Sequence, residues 1–146
     1  TELGYFMSGV FDNVTLRVTD PAGRMLIVEF EWARKKMRLL NLYASNDEKE
    51  RQIFFRSLRP FVTEDSLLVG DLNTVLSPAD VSVRNVFKTD FGRQELFSVM
   101  MDYNLVDVWR LLNPGKRVFS RRQMVMGVLK QSRIPCFFCW RGDTFG

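Results

Sequence analysis

Ser66-Leu67-Leu68-Val69-Gly70-Asp71-Leu72-Asn73 decides how this chain is read. A run of mostly apolar, strand-like residues meets a glycine, and two polar residues follow one position apart. Alternate residues of an extended backbone share a face. Asp71 and Asn73 are therefore expected side by side at the carboxyl end of a buried strand, where α/β sheets tend to form ligand sites. A strand closed by an Asx-type turn accounts for the same residues, because Gly, Asp and Asn are ordinary turn formers. The rest of the chain decides between the two.

Upstream, residues 37–43 form a continuously apolar strand of the kind buried on both faces. Asn46 reads as the N-cap of a helix over 47–62, with Asp47, Glu48 and Glu50 in its first turn. Phe54, Leu58, Phe61 and Val62 recur at helical spacing. That helix carries the chain from one strand end to the start of the strand before Asp71. Further back, 8–19 and 24–32 read as strands joined by the turn Asp20-Pro21-Ala22-Gly23, and Ala33 to Lys36 as a charged connection. Downstream, 74–90 reads as a loop and about 91–103 as a helix bearing Leu96, Val99, Met100 and Tyr103. Residues 105–112 read as a strand end and one helical turn, stopped by Asn113-Pro114-Gly115. Residues 118–120 and 125–129 are weak strand candidates, and 132–140 a last strand. Hairpins followed by strands alternating with helices make a mixed α/β sandwich.

A chain of 146 residues, 46% hydrophobic and 13% aromatic, suffices for one packed domain. Its net charge of +4 is compatible with a polyanionic partner. No apolar run is long enough to span a bilayer, so no membrane partner is expected. There is no histidine, which removes Ser-His-Asp and Cys-His nucleophiles and imidazole-based metal sites. Cys136 and Cys139 lack the further ligands a zinc site needs, and they read as buried thiols. Arg34-Lys35-Lys36, Arg121-Arg122 and Lys130 with Arg133 are candidate phosphate-facing charges, although solvated turns carry such runs too. Arg141-Gly142-Asp143, in a terminal tail, carries no weight.

Two strand ends, Asn41-Leu42-Tyr43-Ala44-Ser45-Asn46 and the opening stretch, are bridged by one helix. In order and spacing they resemble the endonuclease/exonuclease/phosphatase superfamily, and within it the endonuclease domains of LINE-type non-LTR retrotransposons. Gly70-Asp71-Leu72-Asn73-Thr74-Val75-Leu76-Ser77-Pro78-Ala79-Asp80 resembles the GDFN-T-x-L-S-x-x-D segment of that branch. Asp107-Val108-Trp109-Arg110 with Asn113-Pro114 and Phe119-Ser120 resembles its D-x-[WY]-R…P…[FY]-[TS] segment. Ser132-Arg133-Ile134 resembles the start of its S-R-I-D. The similarity runs from about Val10 to Ile134.

The resemblance implies a DNase I-like four-layer α/β sandwich, present here as one truncated domain over 1–146 that lacks its first strands and its C-terminal end. It implies metal-assisted hydrolysis of a DNA phosphodiester, the nicking step of retrotransposition. Asp71 would orient or deprotonate the attacking water, Asn73 would hold the phosphate, and Tyr43 would place its phenol near the growing negative charge. Asn46, Ser132 and Arg133 would contact substrate. Asn46 has a second rationale, since free N–H groups beside a helix cap suit a phosphate. Against these stand plainer readings: Tyr43 as a half-buried strand aromatic, Asn46 as only a cap, and Asp80, where the structural reading is preferred, as a turn residue. Mg2+ is the cofactor of the intact family, and no small-molecule cofactor is implied. A nuclear, intracellular setting follows if the chain is part of a retrotransposon protein.

Departures limit the expectation. The family's early Asn and metal-binding Glu precede the point where this chain begins, and its final Asp-His pair follows the point where it ends. Position 135 is Pro where the motif has an acid, and position 45 is Ser where Y-A-P-N has Pro. An intact metal site is therefore not expected, DNA binding is expected to be weak or lost, and the chain as given is expected to be inactive. The alternatives are a non-catalytic remnant that binds nucleic acid weakly, and another phosphoesterase of the superfamily. The segment from Trp109 to Pro114 argues against the latter.

Overall fold

The computed structural model describes residues 11–142 apart from position 21; Val10, Pro21 and Asp143 of the sequence readings lie outside the described residues. Strands β1 (Asp12–Thr19), β2 (Met25–Trp32) and β3 (Lys35–Tyr43) form an antiparallel meander. The β2–β3 turn is only Ala33-Arg34, both at positive φ, as the two-residue turns that match strand twist require. Lys35 and Lys36 thus belong to the strand rather than to the connection.

Helix α1 (Glu48–Ser57) follows, and its cap is Asp47, not Asn46. The Asp47 carboxylate accepts the backbone N–H of Glu50 at 2.9 Å, and the Ser45 hydroxyl accepts that of Asp47 at 3.0 Å. Two adjacent residues were both good caps, and only one has its side chain where the third N–H points. The helix stops short of residue 62 because Pro60 opens a separate 3-10 turn, Arg59–Phe61. From there the chain enters β4 (Ser66–Asp71), parallel to β3.

After the 3-10 turn Pro78–Asp80 come α2 (Phe91–Asp102), β5 (Leu105–Asp107), α3 (Val108–Leu112), β6 (Arg121–Val125), β7 (Val128–Ser132) and β8 (Phe137–Trp140). The stretch 125–129, expected as a strand, contains the turn of the β6–β7 hairpin, with Met126 and Gly127 at positive φ. The expected last strand 132–140 divides, Ser132 ending β7 while β8 begins at Phe137.

One six-stranded sheet runs in the order β1-β2-β3-β4-β8-β5, with β6-β7 apart from it. Both central strands, β3 and β4, therefore have neighbours on each side within this chain. Helices α1 and α2 pack on each other and on one face of the sheet. Phe55, Leu58, Leu96 and Val99 of that layer share a core with Ile27, Leu40, Leu42, Leu68 and Phe138. Burying a side chain of this size contributes roughly 1.5–3 kcal/mol. Phe30 and Met37 form a smaller cluster with Phe11, Val14, Leu39 and Leu67. Cys139 is buried, while Cys136 is exposed rather than buried as expected.

Candidate functional site

The parallel pairing of β3 and β4 sets Tyr43 opposite Asp71 at the last register position of both strands. Gly70 permits this closure. Its φ is +118°, and a Cβ there would lie 2.1 Å from the Leu42 carbonyl oxygen. Beyond Asp71 the backbone leaves the strand, so strand alternation does not place Asn73. Asn73 is in the left-handed region (φ 48°), which asparagine tolerates better than most residues. Its N–H donates to Asp71 Oδ1 at 2.9 Å, an Asx turn. The turn and the shared edge are one arrangement, so the plainer reading of this stretch and the functional one coexist.

Asn73 is buried, and its Nδ2 donates to the Ala44 carbonyl at 2.5 Å. The Ala44 N–H in turn donates to the Asp71 carbonyl at 2.8 Å. The loop after β3 is thereby stitched to the loop after β4. Arg121, the first residue of β6, donates from Nη2 to Asn73 Oδ1 and lies 3.7 Å from Asp71 Oδ2. Tyr43 is 55% exposed. The edge is open: Asp71, Arg121 and Tyr43 present a carboxylate, a guanidinium and a phenol, with the buried Asn73 amide beneath them.

Asn46 is exposed and stays in the same loop, two residues past Ala44. Its carbonyl accepts Arg51 Nη1 at 2.8 Å. Arg51, buried in α1, also donates to Asp90, the N-cap of α2. This arginine fixes the Ser45–Asn46 loop against the helix layer. Nothing in the sequence marks it, since a single Arg inside an amphipathic helix gives no signal of burial.

Ser132 and Arg133 are placed differently from the substrate contacts expected of them. Ser132 is buried at the foot of the hairpin, facing Arg121 across it. Arg133 is 6% exposed and turned inward. Its Nε donates to Asp80 Oδ1 at 2.7 Å and its Nη2 to Asp107 Oδ2 at 2.5 Å. Arg110 donates to Asp80 from the other side and to the carbonyls of Asn113 and Lys116. Both guanidinium groups lie near the Trp109 ring, at 5.1 and 4.7 Å for Arg110 and Arg133. Asp80, 1% exposed, is thus more than a turn residue. It is the hub of a buried ion network tying the β4–α2 loop, α3 and the hairpin base together.

Burial opposes ionisation of Asp80, but hydrogen bonds and charge from Arg133 and Arg110 outweigh it and hold the carboxyl below its ordinary range. Burial likewise disfavours the charged Arg133, and its bonds to Asp80 and Asp107 more than offset this. Three of the segments that carry the resemblance meet in this network.

Arg34, Lys35 and Lys36 lie at the far end of β3, roughly 25 Å of strand from Tyr43. They take no part in the edge. A cavity of about 400 Å³, lined by Asn13, Glu29, Arg38 and Asp65 among others, is also away from Asp71. Among the described residues no three His, Cys, Asp or Glu side chains converge on a point that could hold a metal ion. Asp71 belongs to no such group and has a guanidinium beside it, so the residues described do not fit a divalent-cation site.

No family model matches the sequence. The Transposon TX1 uncharacterized 149 kDa protein of Xenopus laevis is 32% identical over 117 residues, 77% of this chain and 9% of that protein. The endonuclease domain of TRAS1, a telomere-specific non-LTR retrotransposon, superposes with a TM-score of 0.58 at 17% identity, over 89% of this chain and 57% of that one. TDP2 of D. rerio, complexed with a single-strand DNA product, gives a TM-score of 0.49 at 18% identity, over 90% of this chain and 54% of that one. The likeness to the TRAS1 domain shows the fold, part of a DNase I-like α/β sandwich. The chain is thus similar in fold to a retrotransposon endonuclease domain and in sequence to a transposon protein. It spans 57% of the first and 9% of the second.

Proposed function

We propose that this chain is part of a DNA endonuclease domain of the retrotransposon type, that its Tyr43–Asp71–Asn73 edge faces a phosphodiester, and that the chain alone binds DNA weakly without cutting it. The observation that carries this reading is the register pairing of Tyr43 with Asp71, with Asn73 folded back beneath the β3 loop. A nucleic-acid backbone is a charged rod, and an open edge admits it where a closed pocket would not. The TRAS1 likeness in fold supports the same direction.

In this reading Asp71 orients a water molecule for in-line attack and accepts its proton. Tyr43 offers an O–H donor where negative charge grows. Asn73 acts from beneath: with both ends of its amide occupied, it holds Asp71 and the Ala44 loop in register. In an intact domain of this type Mg2+ would supply Lewis-acid stabilisation, and among the described residues no group of three acidic, Cys or His side chains is placed to hold it.

The test is fluorescence anisotropy with a labelled DNA duplex. Binding is expected at low salt and should weaken as salt rises, each neutralised phosphate adding about 0.9 to the log–log slope. No binding by the folded chain at low salt would reject the reading.

A further inference from the structure

We propose that Arg121 is the phosphate-binding cation of this edge, a fixed guanidinium that supplies the positive charge for a DNA phosphodiester independently of a divalent ion. The inference rests on the reading of the edge as phosphodiester-facing. It starts from how firmly Arg121 is held. Across the hairpin it faces Ser132, and Ser120 beside it donates its N–H to the Ser132 carbonyl at 3.0 Å. The Ser120 hydroxyl accepts the Ile134 N–H at 2.9 Å. Arg133, one residue on, is anchored by Asp80 and Asp107, and its own N–H donates to the Asp80 carbonyl at 2.7 Å. The backbone at Arg121 is therefore tied to the buried network, and the side chain extends from a rigid base.

Arg121 Nη2 is committed to Asn73 Oδ1, while the approach to Asp71 is longer, at 3.7 Å. Nε and Nη1 make no other hydrogen bond among the described residues, and the side chain is 39% exposed. A guanidinium has five N–H donors in a planar fork that matches phosphate oxygens two at a time. With one donor holding Asn73, the remainder can donate to the oxygens of a phosphate beside Asp71. Without Arg121, the edge would present Asp71 to a phosphate with nothing to offset the repulsion. With it, the carboxylate and guanidinium nearly cancel.

Arg122 and Lys130 do not share this position. Arg122 is the next residue of the same strand, so its side chain leaves on the opposite face, and it is exposed. Lys130 pairs with Gln123 two positions further along the hairpin. Among the basic residues singled out in the sequence, Arg121 is the one in contact with Asp71 and Asn73.

The experiment compares duplex-DNA affinity of the parent chain, Arg121→Gln, Arg121→Lys and the distant Arg34→Gln across a salt series, in EDTA and in Mg2+ at matched ionic strength. Arg121→Gln should weaken binding on the order of tenfold and reduce the salt slope by about 1. Arg121→Lys should restore the slope but not the full affinity, since the planar fork is lost. Arg34→Gln should change binding little, and parent binding should survive EDTA. Thermal melts of all four should coincide within a few degrees, which separates loss of a contact from loss of the fold. Equal losses from Arg34→Gln and Arg121→Gln, or parent binding abolished by EDTA, would overturn the inference while leaving the edge a DNA-facing one. No binding by the parent would overturn both.

Discussion

Replacing Asp80 by Ala should cost the fold about 3–5 kcal/mol, the range for stripping one partner from a buried ion pair. Arg133, 6% exposed, would be left with only Asp107, and Arg110 with backbone carbonyls alone. For a chain of this length that loss lowers the melting temperature on the order of 10 °C or more. It removes a large share of a typical 5–15 kcal/mol stability. An Arg17→Ala control breaks an ion pair whose arginine is 57% exposed and should cost about 1 kcal/mol at most. Because the folded pKa of Asp80 is held below its ordinary 3.8, its contribution is complete above that value and is lost as pH falls through the folded pKa. Acid should therefore destabilise the parent below about pH 4, and the Asp80→Ala variant should show less of that loss. A melting temperature for Asp80→Ala no lower than that of Arg17→Ala would contradict the network's role.

The second large effect is on catalysis. The purified chain should leave supercoiled plasmid un-nicked in Mg2+ or Mn2+. Phosphodiester hydrolysis adds negative charge in the transition state, and a preorganised donor or cation aimed at it is worth about 10²–10³ in rate. Here Asp71 has Arg121, Asn73 and Tyr43 around it, with no cluster of three metal-ligating side chains among the described residues and no histidine in the chain. Groups that act together fail together, so several missing members bring the rate near background. Pro135→Asp should not rescue nicking. Position 135 is buried, so an acid there would first have to be desolvated, and it would restore only one of the missing groups. Clear nicking that disappears in Asp71→Ala would show that Asp71 and its present neighbours suffice.

Much of the fold was legible because it rests on local patterns. The apolar run before Gly70, the helical spacing of Leu96 and Val99, and the stop at Asn113-Pro114-Gly115 are each set by near neighbours in the chain. What escaped was set by partners distant in sequence. Asn46 and Asp47 are equally good caps by composition, and the choice fell to whichever carboxylate or amide could reach Glu50. Val125 to Leu129 is apolar enough for a strand, yet the hairpin turns there because Met126 and Gly127 take positive φ.

The candidate site divided the same way. Tyr43 and Asp71 met because two strand ends share a register, which the motif order anticipated. Asn73 reached them by a turn, not by strand alternation. Arg133 looked like a substrate contact because Ser132-Arg133-Ile134 resembles the start of the S-R-I-D motif. Its two buried acids, Asp80 and Asp107, lie 53 and 26 residues away in the chain, and no spacing rule links them. Arg121 was one of several basic pairs, distinguishable only once the hairpin had set it over Asn73.

The claim that the β3–β4 edge faces DNA is tested most directly by backbone and side-chain NMR of the labelled chain titrated with a short DNA duplex. The account predicts that the earliest and largest shifts fall on Tyr43, Asp71, Asn73 and Arg121, while Arg34, Lys35 and Lys36 at the other end of β3 stay near their free positions. Shifts concentrated at Arg34 to Lys36, with Tyr43 and Asp71 unmoved, would contradict it.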